Sequence, residues 1–312
     1  MYFKKGFAGI VFLVLVLLIT SAIVISYYAG TKRQAAQDAV SASVAATNPT
    51  EEELLTVPQD EENRQEQDNV LGTISVPTSN SLPGNGYSRQ KVVTDRGTFT
   101  VSIAAADLNS ARVIADTASS SNCGNDCSVM ALKDYVSRNG AFAGINGPYF
   151  CPATYASCSG KKNSFDTLIM NKNKVYFNSD NNVYSTIPAA IFYGNTSRFV
   201  NQSLEWGRDT GVDSVIANYP LLVRDGNLNF TGSGDGKLNG KGNRSFIGGK
   251  DNYAYIGVVS KATVADAAVV LKTMGMKNAL NLDSGGSTAL WFSGYKFGPG
   301  RGLPIAILFV RK

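Results

Sequence analysis

The last third of the chain carries one helix pattern followed by two strand patterns. Thr263 and Asp266 are placed as a capping box, and Gly275 follows as a typical helix stop. The apolar positions between them have helical spacing: Val264, Ala267, Ala268, Leu271 and Met274. Apolar runs then predict a buried strand over residues 278–282 and a second strand over residues 287–292.

The segment between these two predicted strands has the composition of a turn or of an anion site. Asp283 follows the first strand directly, and Ser284, Gly285 and Gly286 come next. Glycine adopts positive φ without strain, and successive free N–H groups in such a turn form a concavity that binds anions. A strand–turn–strand hairpin with Asp283 as a turn former explains the same residues. From spacing alone, the hairpin is the preferred interpretation.

The same order of elements occurs earlier in the chain. Helical spacing is found at Val129, Leu132, Tyr135 and Val136. Gly140 is typical of a residue that ends a helix. Residues 141–145 are typical of a buried strand, and Asn146 and Gly147 follow that strand. If this strand and the later one are neighbours, Asn146 and Asp283 emerge at the same sheet edge.

Short strand patterns fill the rest of this region: residues 98–103, 111–115, 164–170, 174–177, 189–192, 214–217 and 253–259. Residues 221–229 predict a hairpin with Asp225 and Gly226 at its tip. The glycine-rich stretch 230–243 is predicted as a mobile loop with two lysines. Many strands and few helices predict an α+β fold, a mixed β-sheet core with a few packed helices.

An apolar run at the N-terminus has the length of a membrane-spanning helix. It extends over residues 7–28, and a bilayer needs roughly 20 apolar residues. Lys4 and Lys5 favour a cytoplasmic N-terminus. A cleavable signal peptide is the alternative, but its apolar region is about 7–15 residues long. We therefore predict an uncleaved transmembrane signal anchor over residues 1–30, with the rest of the chain outside the cytoplasm.

Residues 31–90 are polar and poor in aromatic side chains, and they include an acidic run over 51–68. Such a segment cannot bury enough apolar surface to fold alone, so we predict a disordered linker. A single domain over residues 91–312 follows. Formal charge changes along the chain, from −4 over residues 1–88 to +9 over the remainder. A basic domain suits a phosphate-bearing substrate, although an ordinary solubilising surface explains the charge equally well.

The chain contains no histidine, which excludes Ser-His-Asp and Cys-His catalysis and histidine-based zinc sites. Its four cysteines, Cys123, Cys127, Cys151 and Cys158, have poor zinc-knuckle spacing. Given an export signal, disulfides are the expected state, and free buried thiols are the alternative. Three pairings are possible, of which we favour the two local ones, Cys123–Cys127 and Cys151–Cys158.

Four ordered motifs resemble those of the phosphodiester glycosidase family, whose members include the lysosomal uncovering enzyme and bacterial exopolysaccharide-associated proteins. Asn281 to Thr288 is similar to the family's Asn-Leu-Asp-Gly-Gly-Gly-Ser-Thr, and Gly144 to Phe150 to its Ile-Asn-Gly-Gly-Tyr-Phe. Leu221 to Gly226 is similar to its Leu-Val-x-Asp-Gly turn, and Asn243 to Gly248 to its Arg-Thr-Ala-Ile-Gly. The resemblance extends from about Val92 to the C-terminus.

Three positions depart from the family pattern: Ser284 and Pro148 replace glycines, and Ser245 replaces a threonine. The resemblance implies catalytic roles for Asp283 as base or nucleophile, Arg244 as partner of the leaving phosphate and Asn146 as an orienting amide. It implies substrate contacts for Gly147, Tyr149, Asn281, Ser284, Gly285, Gly286, Ser287 and Thr288. In isolation, Arg244 and Asn146 are typical turn residues and Tyr149 is typical of a core.

The resemblance implies hydrolysis of the bond between a sugar's anomeric carbon and a phosphodiester oxygen, in a cell-envelope or exopolysaccharide context. The alternatives are a non-catalytic module that binds phosphate-bearing cell-surface glycans, or a glycosyl or phosphosugar transferase. We expect a phosphate-bearing glycan or sugar phosphate as substrate and the membrane as a partner through residues 7–28. We expect no nucleic acid and no cofactor, while a divalent metal ion at Asp283 stays open.

Overall fold

The structure, a computed structural model, describes residues 75–178 and 186–312. The predicted anchor over residues 1–30 and most of the predicted linker over 31–90 lie outside the described residues. Within the described ranges, no helix has the length and apolar character needed to cross a membrane.

The described residues form mostly strands, with few helices. In chain order the strands are β1 (Gly86–Thr94), β2 (Gly97–Asp107), β3 (Ala111–Thr117), β4 (Ala143–Asn146), β5 (Ile169–Met170), β6 (Tyr176–Phe177), β7 (Ala189–Tyr193), β8 (Thr196–Val200), β9 (Ser214–Ala217), β10 (Leu221–Arg224), β11 (Asn227–Leu228), β12 (Gly242–Lys250), β13 (Tyr253–Ala262), β14 (Asn278–Asn281), β15 (Leu290–Phe292), β16 (Tyr295–Phe297) and β17 (Ile305–Arg311). The helices are α1 (Leu132–Asn139), α2 (Gly236–Asn239) and α3 (Val264–Thr273), with 3-10 turns at Ala156–Cys158, Ser203–Trp206 and Gly285–Ser287.

The strands build three sheets. The first has the order β1-β2-β13-β12-β14-β10-β11, the second β16-β15-β4-β17-β3, and the third β6-β5-β9-β7-β8. Neighbouring strands pair antiparallel in all three sheets, whereas we predicted a mixed sheet. The reason is visible at α3, which joins β13 to β14. Because β12 lies between these two strands, the helical crossover creates no parallel pair.

The core lies between the three sheets, and smaller apolar layers cover their outer faces. Side chains of a strand alternate between its faces, so Ala104 and Ala106 of β2 enter the central core, while Ile103 and Ala105 pack toward α3. Helix α1 covers the second sheet in the same way. One domain therefore accounts for the described residues from β1 onward.

Both predicted helices are present, although Val129, which we included in the first pattern, lies before α1 and is exposed. Thr263 and Asp266 form the predicted capping box of α3, and Gly275 follows with φ 81°. Gly140 ends α1 in the left-handed conformation. The predicted linker is wrong at its end, because residues 86–90 form half of β1. The polar pattern concealed this strand, in which the Gln90 side chain is buried and donates to backbone carbonyls.

The predicted hairpin around Asp283 is wrong. Residues 285–287 form a 3-10 turn, and the following strand, β15, begins at Leu290 and pairs with β4 in the second sheet. The preceding strand, β14, belongs to the first sheet. The segment from Asp283 to Ala289 therefore crosses from one sheet to another. Both predicted disulfides, Cys123–Cys127 and Cys151–Cys158, are confirmed.

Candidate active site

The ends of β4 and β14 meet although the strands belong to different sheets. The Asn146 side-chain amide donates to the Asp283 carbonyl at 2.7 Å, and the Asp283 N–H donates to the Gly147 carbonyl at 3.1 Å. Gly147 has no room for a side chain, because an added Cβ would lie 2.5 Å from Ile305. The expected proximity of Asn146 and Asp283 therefore arises from a junction between sheets, not from adjacent strands.

Asn146 is the centre of this junction and is fully buried. Its Oδ1 accepts the Ser245 hydroxyl at 2.9 Å and the Ala289 N–H at 3.2 Å, while its Nδ2 also donates to Gly147 at 3.2 Å. One amide thus joins three of the motifs identified in the sequence. With its hydrogen bonds made inside the protein, it orients the Asp283 backbone instead of opening toward solvent.

Asn281 makes a second buried junction below the site. Its Nδ2 donates to the Tyr149 hydroxyl at 2.7 Å and to the Tyr219 carbonyl at 3.1 Å. Burial is the main cause that raises the pKa of Tyr149, with the charge of Asp283 adding to it. The ring of Tyr149 packs edge-on against Tyr219, with 5.1 Å between centroids. Tyr149 is therefore a neutral phenol that lines the cleft from a fixed position.

The Asp283 carboxyl is half-buried and opens into the cleft. Burial raises its pKa to about 6, and the nearby charge of Asp166 adds to the rise. The Ser287 side chain, the Ser284 N–H, which donates at 2.8 Å, and the Arg301 charge oppose this rise. This carboxyl therefore exchanges its proton near neutral pH, as a catalytic acid or base must.

The turn after Asp283 presents backbone donors. The Ser287 and Thr288 N–H groups close the 3-10 turn, whereas the N–H groups of Gly285 and Gly286 have no acceptor within the described part of the chain. Gly285 has φ 63°, the left-handed conformation that favours glycine. Both residues are exposed and Gly285 lines the cleft, and successive free N–H groups of this kind form a concavity that binds an anion.

Arg244 is buried in the wall of the cleft and holds the loop before it. Its Nε donates to the Ala262 carbonyl at 3.0 Å, and one Nη donates to the Lys237 carbonyl at 3.1 Å and to the Gly240 carbonyl. Burial lowers the pKa of the guanidinium. These bonds support α2, where we expected a mobile loop, and Asp235 caps that helix.

The cleft that contains these groups has a volume of about 610 Å³. Its lining includes the loop closed by the Cys151–Cys158 disulfide and the α2 segment, which comprises residues 235–244. Several residues that line the cleft had no predicted site role: Tyr155, Asp166, Tyr219, Asp235, Lys237 and Lys241. The only signals for them were an exposed cysteine-bounded loop and the two lysines of the glycine-rich stretch.

Asp166 is the important omission, because it supplies a carboxyl besides Asp283 in the cleft, where the third, Asp235, caps α2. Its N–H donates to the Tyr149 carbonyl at 3.3 Å, which fixes it beside the Asn146 motif. Burial raises its pKa, and the charges of Lys161 and Lys237 oppose the rise. Among the residues described, no group of three or more histidine, cysteine, aspartate or glutamate side chains could hold a metal ion.

Comparisons with known proteins agree with the motifs. The family described as phosphodiester glycosidase matches residues 139–310, more than half of the chain, and no curated protein sequence matches. The catalytic domain of zebrafish N-acetylglucosamine-1-phosphodiester alpha-N-acetylglucosaminidase, auto-inhibited by its pro-peptide, has a TM-score of 0.57 at 12% identity, covering 76% of this chain and 87% of that one.

A hypothetical protein from Synechocystis has a TM-score of 0.56 at 12% identity, covering 72% of this chain. The match spans only 62% of the Synechocystis chain, less than two thirds of its length. At this identity the two structures establish a shared fold, and the family match rests on the sequence. The chain belongs to the phosphodiester glycosidase family.

Proposed function

We propose that this protein hydrolyses the bond between the anomeric carbon of a sugar and a phosphodiester oxygen. The observation that carries the proposal is the Asp283 carboxyl, which lines the cleft together with Gly285, the first of two successive glycines whose N–H groups have no acceptor within the described residues. A carboxylate and an anion site in contact suit a substrate whose reacting carbon is attached to a phosphate. Family membership gives the class of reaction, and the geometry supports the residues that perform it.

Asp283 acts as the base in this proposal. It accepts a proton from water as the water oxygen bonds to the anomeric carbon, and the electron pair of the broken bond passes to the phosphate oxygen. The departing phosphate monoester has a second pKa of about 6, so it leaves near neutral pH with little protonation. Asp166, which lines the same cleft, donates the proton that the phosphate oxygen takes up.

The phosphate binds between the turn after Asp283 and the α2 segment. Gly285 and Gly286 supply backbone donors, and Lys237, which lines the same cleft, supplies a positive charge. Arg244 contributes charge, and its hydrogen bonds to carbonyls of the α2 segment also set the position of that segment. Asn146 is a positioning residue, because its side chain orients the Asp283 backbone without reaching the cleft.

We also propose that the domain works outside the cytoplasm, held by the predicted anchor over residues 1–30, on cell-envelope or exopolysaccharide material. Two disulfides support an oxidising compartment. The single domain glutamate, Glu205, accepts the Gln202 N–H at 3.0 Å in a capping box, which leaves the catalytic role to aspartates.

The test uses the full chain and methyl diesters of several sugar 1-phosphates, each as both anomers. We expect free sugar and methyl phosphate from at least one of them, detected by phosphorus and proton NMR. Asp283→Asn should lower kcat by about 10³-fold, within the usual range for a general base. Binding without turnover would favour the glycan-binding module, and product that appears only with an added acceptor alcohol would favour a transferase.

A further inference from the structure

A second cavity lies at the far end of the strand that leads to the cleft. Strand β4 begins next to Phe142, which lines this cavity, and ends at Asn146 in the junction that positions Asp283. Phe142 and Asn146 are about 13 Å apart along an extended strand. The second cavity has a volume of about 400 Å³ and shares no lining residue with the cleft among the described residues. It is therefore a separate concavity, of a size that suits a small ligand such as a sugar ring.

Three aromatic side chains line the second cavity: Phe142, Trp291 and Phe292. Phe292 contacts Phe142 edge-on, with 6.5 Å between ring centroids, and stacks on Tyr87 at 5.8 Å. Trp291 packs edge-on against Tyr295 at 4.9 Å. All three lining residues are half-buried, so their rings are held by the fold and keep some surface at the cavity. Rings fixed in this way present apolar faces to a ligand and lose little side-chain freedom on binding.

The polar side chains of the second cavity are an amide, two hydroxyls and a guanidinium. Asn85, Ser110 and Ser293 are exposed residues of the lining. Arg311 is the single charged residue among the described residues that line the cavity, and no carboxylate of the described ranges forms an ion pair with it. A guanidinium is always charged, and its planar donors match the oxygens of a carboxylate or a phosphate. The second cavity therefore favours a ligand that carries an acidic group.

We propose that the second cavity binds a pyranose ring that carries a carboxylate or a phosphate, such as one residue of an acidic glycan. The C–H face of the ring packs against Trp291 and Phe292. Its hydroxyl groups bond to Asn85 and Ser293, and its acidic group pairs with Arg311. Because this site lies outside the cleft, the protein binds such a glycan whether or not the cleft cleaves it.

A membrane surface is the other partner that aromatic and basic side chains suit, but the shape of this site favours a sugar. Side chains that insert into a bilayer belong to an apolar face that projects from the protein. Trp291 and Phe292 are instead half-buried and line a concavity. A sugar ring enters such a concavity, whereas the surface of a bilayer does not.

Tryptophan fluorescence reports binding at this site, because the chain has two tryptophans and only one lines the cavity. Trp206 is buried in the apolar layer of the third sheet. The full chain is titrated with three probes: methyl glucoside, its 6-phosphate and methyl glucuronide. We expect a saturable change with all three, and about fivefold tighter binding of the two acidic probes, the upper range for an exposed ion pair.

Two substitutions locate the bound sugar. Arg311→Ala should reduce the preference for the acidic probes to about one, because it removes the partner of the acidic group. Trp291→Phe should abolish the fluorescence change, with circular dichroism to show that the variant is folded. Arg198→Ala is the matched control, because Arg198 is exposed on β8 of the third sheet and lies outside the cavity lining. It should keep the wild-type preference.

Several results would overturn the inference. These are the absence of a saturable change with any sugar, equal affinities of the wild type for neutral and acidic probes, and an acidic preference that persists in Arg311→Ala. A fluorescence change that remains in Trp291→Phe would place the ligand near Trp206 instead. A change with vesicles of anionic phospholipid but with no sugar would assign the surface to a membrane. The sugar probes are not phosphodiesters, so these outcomes leave the proposed hydrolysis to its own test.

Discussion

Two regions of the site differ in how they are built. The inner region, around Asn146 and Asn281, consists of buried amides that join the sheets through hydrogen bonds. The outer region consists of the Cys151–Cys158 loop and the α2 segment, whose side chains face the cleft. The inner region fixes where the Asp283 carboxyl lies, and the outer region lines the cleft around it. Several residues of the motifs therefore hold the sheets together without lining the cleft.

The largest effect should follow from removing the inner amide. Asn146→Ala leaves the Ser245 hydroxyl, the Ala289 N–H and the Asp283 carbonyl without this partner, all in or near the core. Unsatisfied buried groups cost about 1–3 kcal/mol each, so we expect the free energy of unfolding to fall by about 3 kcal/mol. Denaturant unfolding measures it.

Asn195→Ala is the matched control, because Asn195 is exposed and its amide bonds only to Asn109 at 3.3 Å. Its free energy of unfolding should change by less than about 0.5 kcal/mol. A loss of activity in Asn146→Ala without any loss of stability would mean that the amide reaches the substrate after all.

The inner region also shows what the sequence could and could not predict. Short patterns identified α3, β14 and the residues of the junction, because capping, periodicity and turn chemistry are local. The role expected of Asn146 required a side chain that reaches the cleft. Whether it does so is set by strands that lie far away in the chain, so a local pattern could not predict it. The predicted hairpin failed for the same reason, since β14 and β15 find partners in different sheets. Asp166 and Tyr155 belong to outer loops whose composition carries no motif.

The second prediction concerns the cost of burying Asp283. Its pKa is about 6 in the fold against 3.8 unfolded, so the folded state holds the proton more tightly. The protonated carboxyl therefore stabilises the folded state. This contribution to the free energy of unfolding is complete below pH 4 and is lost as the pH rises through about 6. Asp283→Asn keeps the side-chain shape without the charge, so at pH 8 we expect a free energy of unfolding higher by about 2 kcal/mol. The gain should vanish at pH 4.

Asp251→Asn is the matched control for pH, because Asp251 is an exposed turn residue with φ 53°, a conformation asparagine also adopts. Its stability difference from wild type should be small at both pH values. Equal stability of Asp283→Asn and wild type at pH 8 would mean that the carboxylate is well solvated in the cleft.

The third prediction compares the two cations of the α2 wall. Arg244→Lys cannot reach both the Ala262 and Lys237 carbonyls, so we expect about 1.5 kcal/mol lower stability and a higher KM. Lys237→Ala removes an exposed side chain, so KM should rise about tenfold while stability changes by less than about 0.5 kcal/mol. Lys272→Ala, exposed on α3, is the control for loss of a surface charge.

The smallest effect is expected at Asp166, which lines the cleft beside the Tyr149 backbone. Asp166→Asn removes the proposed proton donor, and because phosphate leaves with little protonation we expect kcat to fall by only about tenfold, below the usual range for a general acid.

The dependence of kcat on pH shows whether Asp166 donates a proton or only supports the structure of the site. In the wild type, kcat should rise through about pH 6 as Asp283 loses its proton, and it should fall with the loss of the Asp166 proton, whose pKa burial raises. The variant should lose the fall and keep the rise, moved slightly to lower pH, because the charge of Asp166 no longer raises the pKa of Asp283. A variant profile that keeps both limbs would remove Asp166 from the chemistry and leave Asp283 as the single reacting carboxyl.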